Sequence, residues 1–155
     1  KPERHDVDIR FGRGGFDERP ALKLFDDRLD VLCAPAYGEG LALAVPADLA
    51  RAELLRCPLV GWREWFVAAG LDRPEPARGL LFTDLGILLE AAASGLGVAV
   101  CPRRIAEAWT RSGQLQPLFG VSAPTPSTYH VLVDAAALAR PEVAAFCDWL
   151  AAACA

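Results

Sequence analysis

Two histidines, five cysteines and scattered carboxylates are the residues of this 155-residue chain with the types for covalent, acid–base or metal chemistry. His5 stands in a charged opening segment, and His130 stands inside the strand-like run "TYHVLVD". General acid–base catalysis needs an imidazole within reach of an acid or a nucleophile, and no spacing here supplies that pair. Cys33, Cys57, Cys101, Cys147 and Cys154 are odd in number and contain no C-x-x-C pair. Neither a zinc site nor a disulfide framework is indicated. Cys33 in "VLCAP" and Cys101 in "VAVCP" read as small buried hydrophobes. The carboxylates Asp26 and Asp27 read as a solvated turn. "FGRGG" lacks the G-x-G-x-x-G spacing of a phosphate loop, and G-x-S-x-G, P-loop and H-E-x-x-H motifs are missing. The expectation is a protein that is not an enzyme and uses no metal and no cofactor.

The remaining chemistry is that of a strand-to-helix junction. Leu80–Phe82 reads as a strand, and Asp84 reads as the N-cap of the helix that follows. Leu85, Leu88, Leu89, Ala92 and Ala93 mark one face of that helix, and Gly95 ends it. Val98–Val100 is apolar throughout, which predicts a central parallel strand reached by a right-handed crossover. Pro102 is expected to open another helix through about Ser112. A helix start at a strand end gathers free amides, and ligands favour that place in open α/β sheets. Thr83 adds a hydroxyl to it.

Elements on either side must carry this junction. Asp6–Gly15 and Arg28–Pro35 alternate apolar and polar residues and read as strands. A short helix from Pro46 or Ala47 and a strand near Leu59 and Val60 are expected next. "REWFVAAGL" reads as a helix ending at Gly70, with Trp65 and Phe66 in the core. Thr128–Asp134 reads as a strand. "ARPEVAAFCDWLAAACA" reads as a terminal helix burying Val143, Phe146, Leu150 and Ala153, with Trp149 at the edge of the stripe. The fold class is α/β. At 53% hydrophobic residues the chain can fill a core, and 155 residues suit one domain or two small lobes. A net charge of −4 gives no electrostatic reason to bind nucleic acid. No apolar run reaches the length of a membrane span, and the first residues do not read as a signal peptide. A reducing cytoplasm is the expected compartment.

The segments "DVDIRFGRGG", "LFDDRLDVLCAPAY", "LLFTDLGILLEAAASGLGVAVCPRRIAEA", "GQLQPLF" and "TYHVLVDAAALARPEVAAFCDWL" follow one another in that order. In this order the chain resembles the C-terminal effector-binding domain of LysR-type transcriptional regulators, in the branch of the glycine-cleavage and β-lactamase-induction regulators. The resemblance implies a periplasmic-binding-protein-like fold of two lobes with mixed sheets flanked by helices, and a small effector in the cleft between them. It places residues 1–20 and 134–155 in a remnant of the first lobe, and 21–133 in the second. The family's DNA-binding winged helix-turn-helix and the opening of its first lobe are not among these residues. The chain is therefore expected not to bind DNA specifically, and its terminal helix is expected to expose apolar surface and to self-associate. The implied partners are a small-molecule effector (an amino acid, an aromatic acid or a peptide-like metabolite) and further copies of the chain.

The resemblance also suggests where the effector touches. Thr83 and Asp84 stand where similar regulators carry small hydroxyl side chains that meet it; the alternative is that Asp84 only caps. A carboxylate at that position opposes an anionic effector and suits an amine or zwitterion. Gly12 and Arg13 end the strand that similar proteins turn toward the cleft, and Arg13 either pairs with a ligand carboxylate or is solvated. Tyr129 matches a ligand-contacting tyrosine of the β-lactamase-regulator branch, with core packing as its rival. Trp62, after an apolar strand, is a candidate pocket wall. The alternative function is a stand-alone solute-binding protein of a transport system.

Overall fold

A computed structural model describes residues 5–16 and 19–155. In chain order its elements are β1 (Val7–Gly12), β2 (Ala21–Lys23), β3 (Arg28–Cys33), α1 (Pro35–Gly40), α2 (Arg63–Ala68), α3 (Leu85–Ala93), β4 (Ala99–Pro102), α4 (Glu107–Arg111), β5 (Gln116–Pro117), β6 (Ala123–Pro124), β7 (Thr128–Val133) and α5 (Pro141–Ala153). Short 3-10 helices occupy Pro46–Arg51 and Ala137–Ala139. The chain forms two compact units, residues 1–26 with 126–155, and residues 27–125. The division falls at 26/27 and 125/126, whereas the family pattern suggested 20/21 and 133/134. The reason is strand pairing: β7 is the middle strand between β1 and β2, so both β2 and β7 go with the first unit.

In the first unit the sheet is antiparallel, with Val7 opposite Val133 and Phe11 opposite Tyr129. Val131, Val133, Ala137 and Val143 form its buried cluster, and Val7, Leu24, Cys147 and Leu150 pack against it. Helix α5 therefore buries Val143, Cys147 and Leu150, at i, i+4 and i+7. The expected stripe had Phe146 and Ala153 in it; both are exposed. The stripe is turned about α5, so that Cys147 and not Phe146 packs against Val131, Val133 and Ala137.

The second unit is built on β3, which pairs antiparallel with β4, β5 and β6. Parallel bridges extend the sheet beyond β4, from Val98 to Leu54 and from Arg56 to Leu81. Thus β4 is buried and internal as expected, but its long pairing is antiparallel and only the Val98 end is parallel. Full burial reflects cover on both faces and does not fix strand direction. The strand expected at Leu59 and Val60 lies instead at 54–56. Residues 57–60 turn, with the Val60 amide donating to the Cys57 carbonyl, because Pro58 has no N–H for a ladder.

The helix expected from Pro102 begins at Glu107. The Arg103 amide still donates to the Arg28 carbonyl at 2.8 Å, and its guanidinium holds buried Asp30 at 2.7 and 2.9 Å. Trp62, Trp65 and Phe66 fill the core of this unit without exposure. Trp62 stacks on Phe66 at 5.4 Å and meets Trp65 edge-on at 6.4 Å.

Candidate ligand-binding site

Residues 80–82 lead straight into the junction. The Arg56 amide donates to the Leu80 carbonyl at 2.9 Å, and the Phe82 amide donates to the Arg56 carbonyl at 2.8 Å. Gly79 permits this close pairing: it adopts φ +108°, and a Cβ there would stand 2.6 Å from the Leu54 carbonyl oxygen. Thr83 and Asp84 then emerge exposed, while Leu85, Leu88, Leu89 and Ala92 bury one face of α3. Asp84 is the N-cap, its carboxylate accepting from the Ile87 amide at 2.9 Å. Gly86 leaves room for it, since a Cβ there would lie 3.0 Å from Asp84 Oδ1. Thr83 thus presents a hydroxyl beside a helix start whose positive end already carries an in-chain carboxylate.

A second helix start is answered in the same way. The Glu75 carboxylate accepts from the Trp62 amide at 2.8 and 3.0 Å and from the Arg63 amide at 2.9 Å. Sequence reading placed Glu75 in a Pro-rich loop and gave it no role, because nothing in "RPEPARG" reveals that the loop folds back on α2. Trp62 is a correction. Its ring is fully buried, stacked on Phe66, and its N–H donates to the Leu55 carbonyl at 2.9 Å. It has no face to offer a ligand and is a core residue, not a pocket wall.

In the first unit, Gly12, Arg13 and Tyr129 gather at one end of the sheet. Gly12 pairs with Thr128, and a Cβ on it would lie 2.9 Å from the Phe16 ring. Arg13 follows, exposed. Tyr129 is half-buried, its ring 5.3 Å from Phe11 and 6.3 Å from Phe25. His130 beside it is buried, with Nδ1 3.2 Å from the Thr128 carbonyl oxygen and the ring edge-on to Phe16.

Asp27 departs from the solvated turn expected of it. It is half-buried and accepts from the amides of Arg28 and Arg104. Burial pushes its carboxyl above the usual carboxylate range, against those two donors. Asp26 does stay in water, paired with Lys23. Among the described residues no group of His, Cys, Asp and Glu is arranged to hold a metal, and no helix is long and apolar enough to cross a membrane.

Mixed sheets flanked by helices, with a strand end opening on an exposed helix start, are the architecture of periplasmic-binding-protein-like ligand-binding domains. Solved structures share it closely. The effector domain of the transcriptional regulator AmpR of Pseudomonas aeruginosa superposes with a TM-score of 0.85 at 32% identity, over 96% of this chain and 72% of that one. The AmpR effector-binding domain from Citrobacter freundii gives 0.84 at 26% identity, over 96% and 74%. Residues 3–155 match the LysR substrate binding domain, and the chain belongs to that family.

Among curated relatives, the HTH-type transcriptional activator AmpR of Rhodobacter capsulatus is 35% identical over 146 residues, 94% of this chain and 49% of that protein. The glycine cleavage system transcriptional activator of Escherichia coli K12 is 27% identical over 149 residues, 95% of this chain and 49% of that protein. The chain spans about half the length of these curated relatives, which are transcriptional activators and not enzymes.

Proposed function

We propose that this chain is the effector-sensing domain of a LysR-type transcriptional regulator. It takes up a small molecule and, in the full-length regulator, shifts the population of oligomer arrangements that contact DNA. DNA contact belongs to the family's winged helix-turn-helix, outside these residues, and the working compartment is the cytoplasm. The observation that carries the reading is the exposed Thr83–Asp84 junction at the head of α3, braced by paired strands, in a chain related to AmpR effector domains. Thr83 offers the effector a hydroxyl; taken by itself, the end of the first unit's sheet offers a cation at Arg13 and an aromatic hydroxyl at Tyr129, with Gly12 giving backbone access.

Asp84 sets the effector class. Its carboxylate partly cancels the α3 dipole, so an effector carrying an ammonium, such as an amino acid or a peptide-like metabolite, is favoured over a simple aromatic acid. The relationship to transcriptional activators favours this reading over a transport protein.

A thermal-shift screen of amino acids, aromatic acids and muropeptide fragments tests it. An amine-bearing compound is expected to raise the melting temperature, Thr83→Val to reduce that shift, and Asp84→Ser to move preference toward anions. A shift that survives both substitutions unchanged would place the effector elsewhere.

A further inference from the structure

The sheet of the second unit ends on residues 79–82. Parallel bridges step outward from β4, first Val98 to Leu54 and then Arg56 to Leu81. Among the described residues no strand lies beyond them, and Leu80 and Leu81 are 53% and 57% exposed. An outer segment has a pairing neighbour on one side only, so its course depends on what that side offers. Here that side offers one residue. Among the described residues the main-chain hydrogen bonds of 79–82 all run to Arg56, whose amide donates to Leu80 and whose carbonyl accepts from Phe82.

The side chain of Arg56 adds a third hold. Its Nε and Nη2 both donate to the Gly79 carbonyl, at 3.2 and 2.8 Å. No carboxylate pairs with this guanidinium among the described ion pairs. Its charge is spent on a neutral oxygen, and such a charge-assisted bond is stronger than one between neutral groups. It falls where the chain is least determined by its own sterics. Gly79 stands at φ +108°, one of many conformations open to glycine, at the end of a stretch, residues 71–79, that forms no helix or strand. The guanidinium reaches back to the amino end of the segment. Thr83 stands at the other end, four residues or about 13 Å of extended chain beyond Gly79.

We propose that Arg56 is a positioning residue for the Thr83–Asp84 junction. It fixes the chain from the Gly79 carbonyl to the Phe82 amide, and so the direction in which Thr83 leaves the sheet, without touching the effector itself. The inference rests on the reading that Thr83 meets the effector. The junction is then held from both sides. After it, Asp84 caps α3 and Leu85 is buried. Before it, Arg56 holds the chain down to Phe82, one residue short of Thr83. A contacting side chain works only if the groups behind it lock its place. The two main-chain bonds leave the Gly79 peptide free to turn, and the guanidinium removes that freedom.

The test is amide hydrogen exchange, followed by proton–nitrogen NMR on the 155-residue chain with no ligand added. Arg56→Gln keeps both main-chain bonds and loses the charge on Gly79. Exchange of the Phe82 amide should quicken about tenfold, the loss of a charge-assisted bond, and the Thr83 and Asp84 amide signals should move. The Val98 amide, which donates to the Glu53 carbonyl one rung further in, should exchange as in the parent, and so should the β3–β4 ladder. Both guanidinium N–H groups use one oxygen, so an ammonium can replace them, and Arg56→Lys should restore most of the Phe82 protection. Thr83→Val should leave Phe82 exchange unchanged, which separates the hold from the contact. Unchanged Phe82 exchange in Arg56→Gln overturns the proposal. So does equal quickening at Val98 and in the β3–β4 ladder, which would make Arg56 a support of the whole unit, or an Arg56→Lys variant as fast as Arg56→Gln. A thermal-shift screen without a hit fails the effector reading instead and leaves the exchange result standing.

Discussion

Residues 27–125 seal Trp62, Trp65 and Phe66 away from solvent together with the aliphatic residues of β3, β4 and α3. That unit still leaves Val45, Leu59, Val67, Leu80, Leu81, Ile87 and Leu96 exposed, whereas the first unit sets Val143 of α5 on Val131, Val133 and Ala137 and leaves Ile9, Leu22, Leu138, Phe146 and Trp149 exposed around a much smaller cluster. Both units draw on the same apolar-rich composition. The difference is in how much of it each unit can enclose with its own elements. Three rings stacked and edge-on to one another make a core whose parts hold each other in place. The first unit's cluster of Val131, Val133, Ala137 and Val143 holds no ring and lacks that mutual bracing.

The largest expected contrast is chemical. Cys33, Cys57 and Cys101, all in the second unit, are buried, whereas Cys147 and Cys154 in the first are only half-buried. Burial also pushes the Cys33 and Cys101 thiols above the usual range, and the thiolate is the reactive form. An aromatic disulfide reagent under native conditions should therefore label Cys147 and Cys154 promptly and the other three slower by orders of magnitude, as followed by mass spectrometry of digested protein. Equal labelling of Cys101 and Cys147 would erase the distinction between the units.

Next in size is Trp65→Ala. It removes a fully buried ring whose N–H donates to the Val121 carbonyl at 3.1 Å. The loss is expected to reach about 3–5 kcal/mol by denaturant unfolding. A loss below 1 kcal/mol would mean that the second unit collapses readily around a cavity and is not the rigid body its ring packing implies.

Local signals placed much of this in advance. The Asp84 cap, the buried face of α3, the helix ending at Gly70 and the buried Trp65–Phe66 pair all follow from patterns within a few residues of each other. The errors share a cause. The neighbours of Trp62 in sequence suggest a pocket wall, whereas its burial is set by Leu55, Phe66 and the returning Glu75. The apolarity of β4 suggests a parallel strand, but its partner β3 lies about seventy residues earlier and carries the Asp30 that Arg103 must reach. The division between the units moved for the same reason, because β2 is short and exposed and shows itself only by pairing with β7.

A smaller effect distinguishes capping from ligand contact at the α3 head. Asp84→Ala removes the acceptor for the Ile87 amide and should cost about 1 kcal/mol. Asp84→Ser restores a capping oxygen and should recover most of that stability. If stability returns with serine while ligand charge preference does not, the carboxylate does both jobs, and the junction is a site as well as a cap. If Asp84→Ala leaves unfolding unchanged, the cap contributes nothing measurable and the exposed head of α3 is looser than its hydrogen bond implies.

The smallest expected effect on folding belongs to the exposed rings of the first unit. Phe146 is 40% exposed and Trp149 63% exposed, and the rings lie 5.9 Å apart on the outer side of α5. Neither belongs to the cluster of Val131, Val133, Ala137 and Val143. Replacing both with serine should therefore leave the folding free energy within about 0.5 kcal/mol of the parent. The same change removes two large apolar groups from the surface, and contiguous exposed apolar area drives association. Light scattering should show the parent chain self-associating with concentration and the double variant doing so much less. A monodisperse parent would mean that this face is quiet in water, and a double variant that unfolds would mean that the rings hold α5 in place and that the first unit is better enclosed than its burial pattern indicates.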